Sequence, residues 1–223
     1  MKFNEDSRVK IPTILHLTRL GYTYLPLKGQ TWDHSSNIFT DLFSESLLKI
    51  NKGLTSDDIE RIYTDLTLLL NYQDLGKAFY AKLIDQSGVK LIDFENFDNN
   101  SFHVVTELTY KKDDDEFRPD IILLVNGMPL SFIEVKKPNN KDGILAERDR
   151  INTRSQNKNF RHFFNLTQLM VFSNNMEYDD ESPLPLEGAF YASPSYSEPK
   201  LNYFREDPEF NFTPTLLALE EAT

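Results

Sequence analysis

Apolar residues recur at helical spacing through "RVKIPTILHLTRL", residues 8–20, and the run stops at Gly21, a residue suited to ending a helix. "TSDDIERIYTDLTLLL" (55–70) repeats the pattern behind a cap-forming Thr55 and two acids in its first turn. "LGKAFYAKLI" (75–84) predicts another helix. "FHVVTELTY" (102–110), rich in β-branched and aromatic residues, predicts a strand instead. A charged turn, "KKDDDE" (111–116), leads into "RPDIILLVNGMPLSFIEVKK" (118–137), where two apolar runs flank Asn126-Gly127, a strong hairpin signal. "GILAERDRINTRSQ" (143–156) predicts a polar helix and "LTQLMVFSN" (166–174) a further strand.

Helices, three strands, a helix and a strand make a mixed α/β layout, with no internal repeat. From residue 183 onward six of the chain's eleven prolines appear among scattered aromatics. The expected organisation is one domain over 1–182 with a helical N-terminal part, then a Pro-rich tail over 183–223 that builds no second core.

Composition narrows the function. With 223 residues, 39% hydrophobic and 26% charged, the chain can bury one sizeable core. Its net charge of −11 argues against a protein that coats DNA, so any nucleic-acid contact must be local, metal-assisted or helped by another domain. There is no cysteine, hence neither disulfide nor thiolate metal site, and no apolar run approaches the roughly 20 residues of a membrane span. A cytoplasmic location is expected. No Gly-rich phosphate loop occurs either, so this stretch should not bind ATP.

The hairpin ends carry the chemistry. Asp120 opens one apolar run, while Glu134 and Lys136 close the other on a single strand face, away from Ile133 and Val135. Two converging carboxylates beside a lysine make a hard-oxygen site for Mg2+, with the lysine available to orient or deprotonate water. The plain alternative is a hairpin whose charged ends are merely solvated. Register decides between them, because opposed residues share a face. A regular two-residue turn pairs Val125 with Met128 and sets Asp120 against Ile133, leaving Glu134 pointing away. The site therefore demands an odd-length loop or a bulge near Gly127.

Other constellations are weaker. His16, His34, His103 and His162 are dispersed, and no serine sits in a nucleophile elbow. The run Asp113, Asp114, Asp115, Glu116 lacks Ca2+-loop spacing and reads as a solvated turn. Basic residues including Lys111, Lys112, Lys137, Lys141, Arg148, Arg150, Arg154, Lys158 and Arg161 flank the hairpin and the following helix; some could meet phosphates.

At these residues the sequence resembles the PD-(D/E)xK nuclease superfamily, and more narrowly the N-terminal nuclease domain of the type I restriction endonuclease R subunit. "FRPDIILLVNGMPLSFIEVKKPNN" carries the extended motif, and "RVKIPTILHLTRLGY" and "NLTQLMVFSNN" resemble the family's opening helix and following strand. The likeness spans about residues 5 to 175. It implies a restriction-endonuclease-like core with a mixed central sheet flanked by helices, and metal-dependent cleavage of double-stranded DNA. Asp120 and Glu134, joined by the Val135 carbonyl, would hold Mg2+, and Lys136 would be the catalytic lysine. Glu5 is the candidate for the glutamate that superfamily members often add from the first helix. The family's QxxxY motif is not intact, since Gln156 is followed four residues on by Phe160; Gln156 could still reach the site or be solvated. In the family, ATP serves a translocating motor elsewhere in the full-length subunit, and modification and specificity subunits complete the complex. Two other readings remain: a stand-alone recombination or repair nuclease, and a non-catalytic docking module with a nuclease-like fold.

Overall fold

The hairpin lies at the centre of a mixed sheet in the computed structural model, which describes residues 5–137 and 143–174 and the backbone of 189–192 and 202–203. The strands are β1 (Thr23–Tyr24), β2 (Phe102–Thr106), β3 (Tyr110–Lys112), β4 (Asp115–Phe117), β5 (Ile121–Val125), β6 (Met128–Val135), β7 (Leu169–Ser173), β8 (Ala189–Ala192) and β9 (Asn202–Tyr203). The helices are α1 (Ile11–Arg19), α2 (Thr40–Ile50), α3 (Ser56–Leu69), α4 (Lys77–Ile84), α5 (Gly143–Ser155) and α6 (Arg161–Leu166). Seven strands run in the order β1-β2-β5-β6-β7-β8-β9, and β3 and β4 form a separate ribbon. β6 pairs antiparallel with β5 but parallel with β7. The parallel pairing requires a crossover, and α5 and α6 lie within it. This is the mixed α/β sheet flanked by helices that the sequence predicts for a restriction-endonuclease-like core.

Every residue of β6 is buried, because helices cover both faces of the central strands. On one face Val105, Ile122, Phe132, Met170 and Phe172 pack with Ile151 of α5 and with Phe160, Phe163 and Phe164. On the other, Val104, Ile121, Ile133 and Val135 pack against Val9 and Leu17. A third cluster joins α2, α3 and α4 to the hairpin tip through Phe43, Leu47, Ile59, Leu66, Phe79 and Met128.

The helix read over 8–20 begins as a π-helical turn, Asp6–Lys10, and continues as α1. Thr55 caps α3 in a reciprocal box with Asp58. The strand read over 102–110 breaks after Thr106, because Glu107 takes a left-handed backbone (φ 55°) and turns its N–H to the Asp120 carbonyl at 3.1 Å. The charged segment 111–116 is the tip of the β3–β4 ribbon, where Asp115 accepts hydrogen bonds from Asn157 and Asn159. α2, α6 and β1 are elements that the sequence pattern does not predict. β8 and β9 extend the sheet from the Pro-rich segment, whose remaining residues lie outside those described. Among the described residues no helix is long and apolar enough to cross a membrane.

Candidate active site

Asn126 and Gly127 make a two-residue turn, both in the left-handed region (φ 52° and 77°), pairing Val125 with Met128. Left regular, that register would turn Glu134 away from Asp120. It does not stay regular. Leu124 pairs with Pro129 but Leu123 pairs with Ser131, so Leu130 is an inserted residue. Pro129 has no N–H to give the ladder, and the Leu130 carbonyl is taken by Gln168 N at 2.7 Å. Beyond the bulge Ile121 pairs with Ile133, which sets Asp120 opposite Glu134. The parity that the site demands is met by a bulge, with the short turn kept.

Asp120 directly precedes β5 and is fixed at both ends. Its carbonyl accepts from Glu107, and its Oδ2 accepts from Val135 N at 2.9 Å. Glu107 is itself tied to Lys10 of the N-terminal helical run and to Arg118. Glu134 is 5% exposed. One of its oxygens lies 3.5 Å from Lys136 Nζ, and the other, Oε1, is buried with no donor reaching it among the described residues. Burial, with Asp120 and Glu147 nearby, pushes the Glu134 carboxyl up to about 8. Burial alone would lower the Lys136 ammonium, but the carboxylates of Glu134 and Glu147 outweigh it and hold it above the usual lysine value. Lys136 Nζ also donates to the Val135 carbonyl at 3.1 Å.

An orphaned, buried carboxylate oxygen has a large desolvation cost unless something positive reaches it. A divalent cation fits that demand, and the donor set of Asp120, Glu134 and the Val135 carbonyl is all hard oxygen. Among the described residues no group of three or more acidic or histidine side chains gathers as a metal site. An ion here would therefore rely on two carboxylates and the main chain.

Glu5 stands at the start of the N-terminal helical run, half-buried. Burial raises its carboxyl, Lys136 pulls it down and Asp120 pushes it up, so it is within electrostatic reach of the same cluster. Gln156 lies elsewhere. It is exposed in the turn after α5 and lines a shallow cleft with Tyr72, Leu75, Arg161 and Asn165. The α5 side chain that meets the cluster is Glu147, 1% exposed and 3.2 Å from Lys136 Nζ. Arg150 and Arg154 bind the same carboxylate at 2.9 and 3.4 Å. Sequence reasoning missed Glu147, although its spacing to Arg150 and Arg154 places the three on one helix face. Lys137 is exposed, and His162 is spent on Ser35 and Asn71.

Fold and register together define a restriction-endonuclease-like core with opposed carboxylates at the end of its central hairpin. The model for the type I restriction enzyme R protein N terminus matches residues 2–179, and the chain belongs to that family. A Methanocaldococcus jannaschii protein named as the MjaIXP type I restriction enzyme endonuclease subunit is 29% identical over 207 residues, 82% of this chain and 20% of the relative. The Haemophilus influenzae HindI endonuclease subunit is 30% identical over 154 residues, 56% of this chain and 14% of its own length. A second M. jannaschii subunit, named MjaVIIIP, is 43% identical over 106 residues, 47% of this chain and 10% of its own. The chain thus spans about a fifth or less of these relatives.

Proposed function

We propose that this chain is the DNA-cleaving domain of a type I restriction enzyme R subunit, hydrolysing phosphodiester bonds of double-stranded DNA with Mg2+. The observation that carries the reading is the buried Glu134 carboxylate, brought opposite Asp120 by the Leu130 bulge, with Oε2 beside Lys136 and no donor on Oε1. Asp120, Glu134 and the Val135 carbonyl would hold the cation. Bound there, Mg2+ supplies positive charge to a phosphate oxygen and makes water more acidic. Lys136 stays charged beside the carboxylates, where it orients water and balances negative charge that develops on the phosphate. Glu5, at the start of the N-terminal helical run, would add its charge to the same cluster. ATP-driven translocation belongs to the rest of the full-length subunit, and modification and specificity subunits select the DNA.

The test is cleavage by the full-length subunit assembled with those partners. Asp120→Ala and Glu134→Ala should each lower the Mg2+-dependent cleavage rate by more than the about 10–100-fold typical of outer-shell changes. ATP hydrolysis should persist, since the motor lies elsewhere. Wild-type cleavage in either variant would reject the assignment.

A further inference from the structure

The ammonium of Lys136 meets three oxygens: the Val135 carbonyl at 3.1 Å, Glu147 Oε2 at 3.2 Å and Glu134 Oε2 at 3.5 Å. Of these acceptors the Val135 carbonyl belongs to the donor set proposed above for the cation, and Glu134 Oε2 shares its carboxylate with the Oε1 that would face it. An ammonium and a divalent cation repel each other at such separations, so they compete for those groups. Of the three acceptors only Glu147 lies outside that set. It is also firmly placed. Its carboxylate is buried in α5 and clasped by Arg150 and Arg154, and the Arg154 guanidinium lies 4.3 Å over the Phe117 ring. With two guanidinium groups and the Lys136 ammonium already on it, Glu147 is a poor ligand for a divalent cation.

We infer that Glu147 is a positioning residue that keeps the Lys136 ammonium beside the carboxylate pair and remains its acceptor when a cation takes Glu134 and the Val135 carbonyl. The inference rests on the metal-dependent reading above and adds to it the group that keeps lysine and cation from competing. Without Glu147, the oxygens left to Lys136 are those the cation needs. Its loss should therefore weaken cation binding, and removing Lys136 as well should restore it. A structural role alone predicts no such rescue.

The experiment is a Mg2+ titration of the 223-residue chain, read as the rise in melting temperature. Glu147→Gln, nearly isosteric, should raise the half-maximal Mg2+ concentration about tenfold, the scale of outer-shell effects. Adding Lys136→Ala to it should return the half-maximum to the wild-type value or below. Ile151→Val, a core change in the same helix, should leave it unmoved. Should Glu147→Gln fail to fold, Glu147→Asp serves, because its shorter reach must loosen Lys136 and raise the half-maximum. An unchanged half-maximum in the glutamine or aspartate variant overturns the inference. So does a double variant as weak as Glu147→Gln, or an equal shift in Ile151→Val. A wild-type chain with no Mg2+-dependent rise would instead strike the metal reading itself.

Discussion

Glu134 is held in conflict by its surroundings. Burial and two neighbouring carboxylates favour its protonated form, raising it from 4.5 to about 8, whereas a cation needs it ionised. A carboxyl raised in the folded state stabilises the metal-free chain fully below its unfolded value, and that contribution is lost as pH rises through the folded one. The metal-free chain should therefore lose melting temperature between about pH 5 and pH 8, relative to Glu134→Gln, which cannot titrate there. The Mg2+-dependent rise should grow with pH over the same window, as the proton leaves. Melting curves of both proteins across pH check this. Parallel pH profiles for wild type and Glu134→Gln would contradict it.

At the scale of elements, the hairpin tip is a buried joint. Asn126 accepts from Ser101 N and donates to the Leu91 carbonyl and to Asn100, while Phe39 N, at the start of α2, donates to the Gly127 carbonyl at 2.9 Å. A Cβ on Gly127 would sit 2.6 Å from the Phe39 carbonyl and 2.7 Å from Phe43 N, in a backbone region that side chains disfavour. Gly127→Ala should destabilise the chain by about 2 kcal/mol or more, combining left-handed strain with overpacking. Denaturant unfolding measures it, and an unchanged midpoint would refute this view of the joint. The turn itself was legible, because its chemistry resides in two adjacent residues. The Leu130 bulge was legible only as a requirement. Its causes are Pro129, a local one, and Gln168, which takes the Leu130 carbonyl from the far side of the crossover. The break after Thr106 was hidden for a similar reason, since the Glu107 N–H finds its acceptor on Asp120, across the β3–β4 ribbon.

For the whole molecule, the candidate site sits where three separately encoded pieces meet: the end of the central hairpin, the start of the N-terminal helix and the crossover helix. The convergence of the hairpin residues Asp120, Glu134 and Lys136 could be read from spacing and motif because they lie on adjacent strands. Glu147 could not, because 143–156 looks like a solvated polar helix until the parallel β6–β7 pairing folds it back over the sheet. Gln156, the motif-based candidate on that helix, lies beyond its C-terminal end. In the proposed function Lys136 acts from the shared face of Glu134 while its neighbour Lys137 stays exposed. The most direct measurement is Mg2+-dependent DNA cleavage by the assembled full-length enzyme carrying Lys136→Ala or Lys137→Ala. Lys136→Ala should abolish cleavage and spare ATP hydrolysis, while Lys137→Ala should cleave like wild type. Equal loss in the two variants, or wild-type cleavage by Lys136→Ala, would contradict the proposed function.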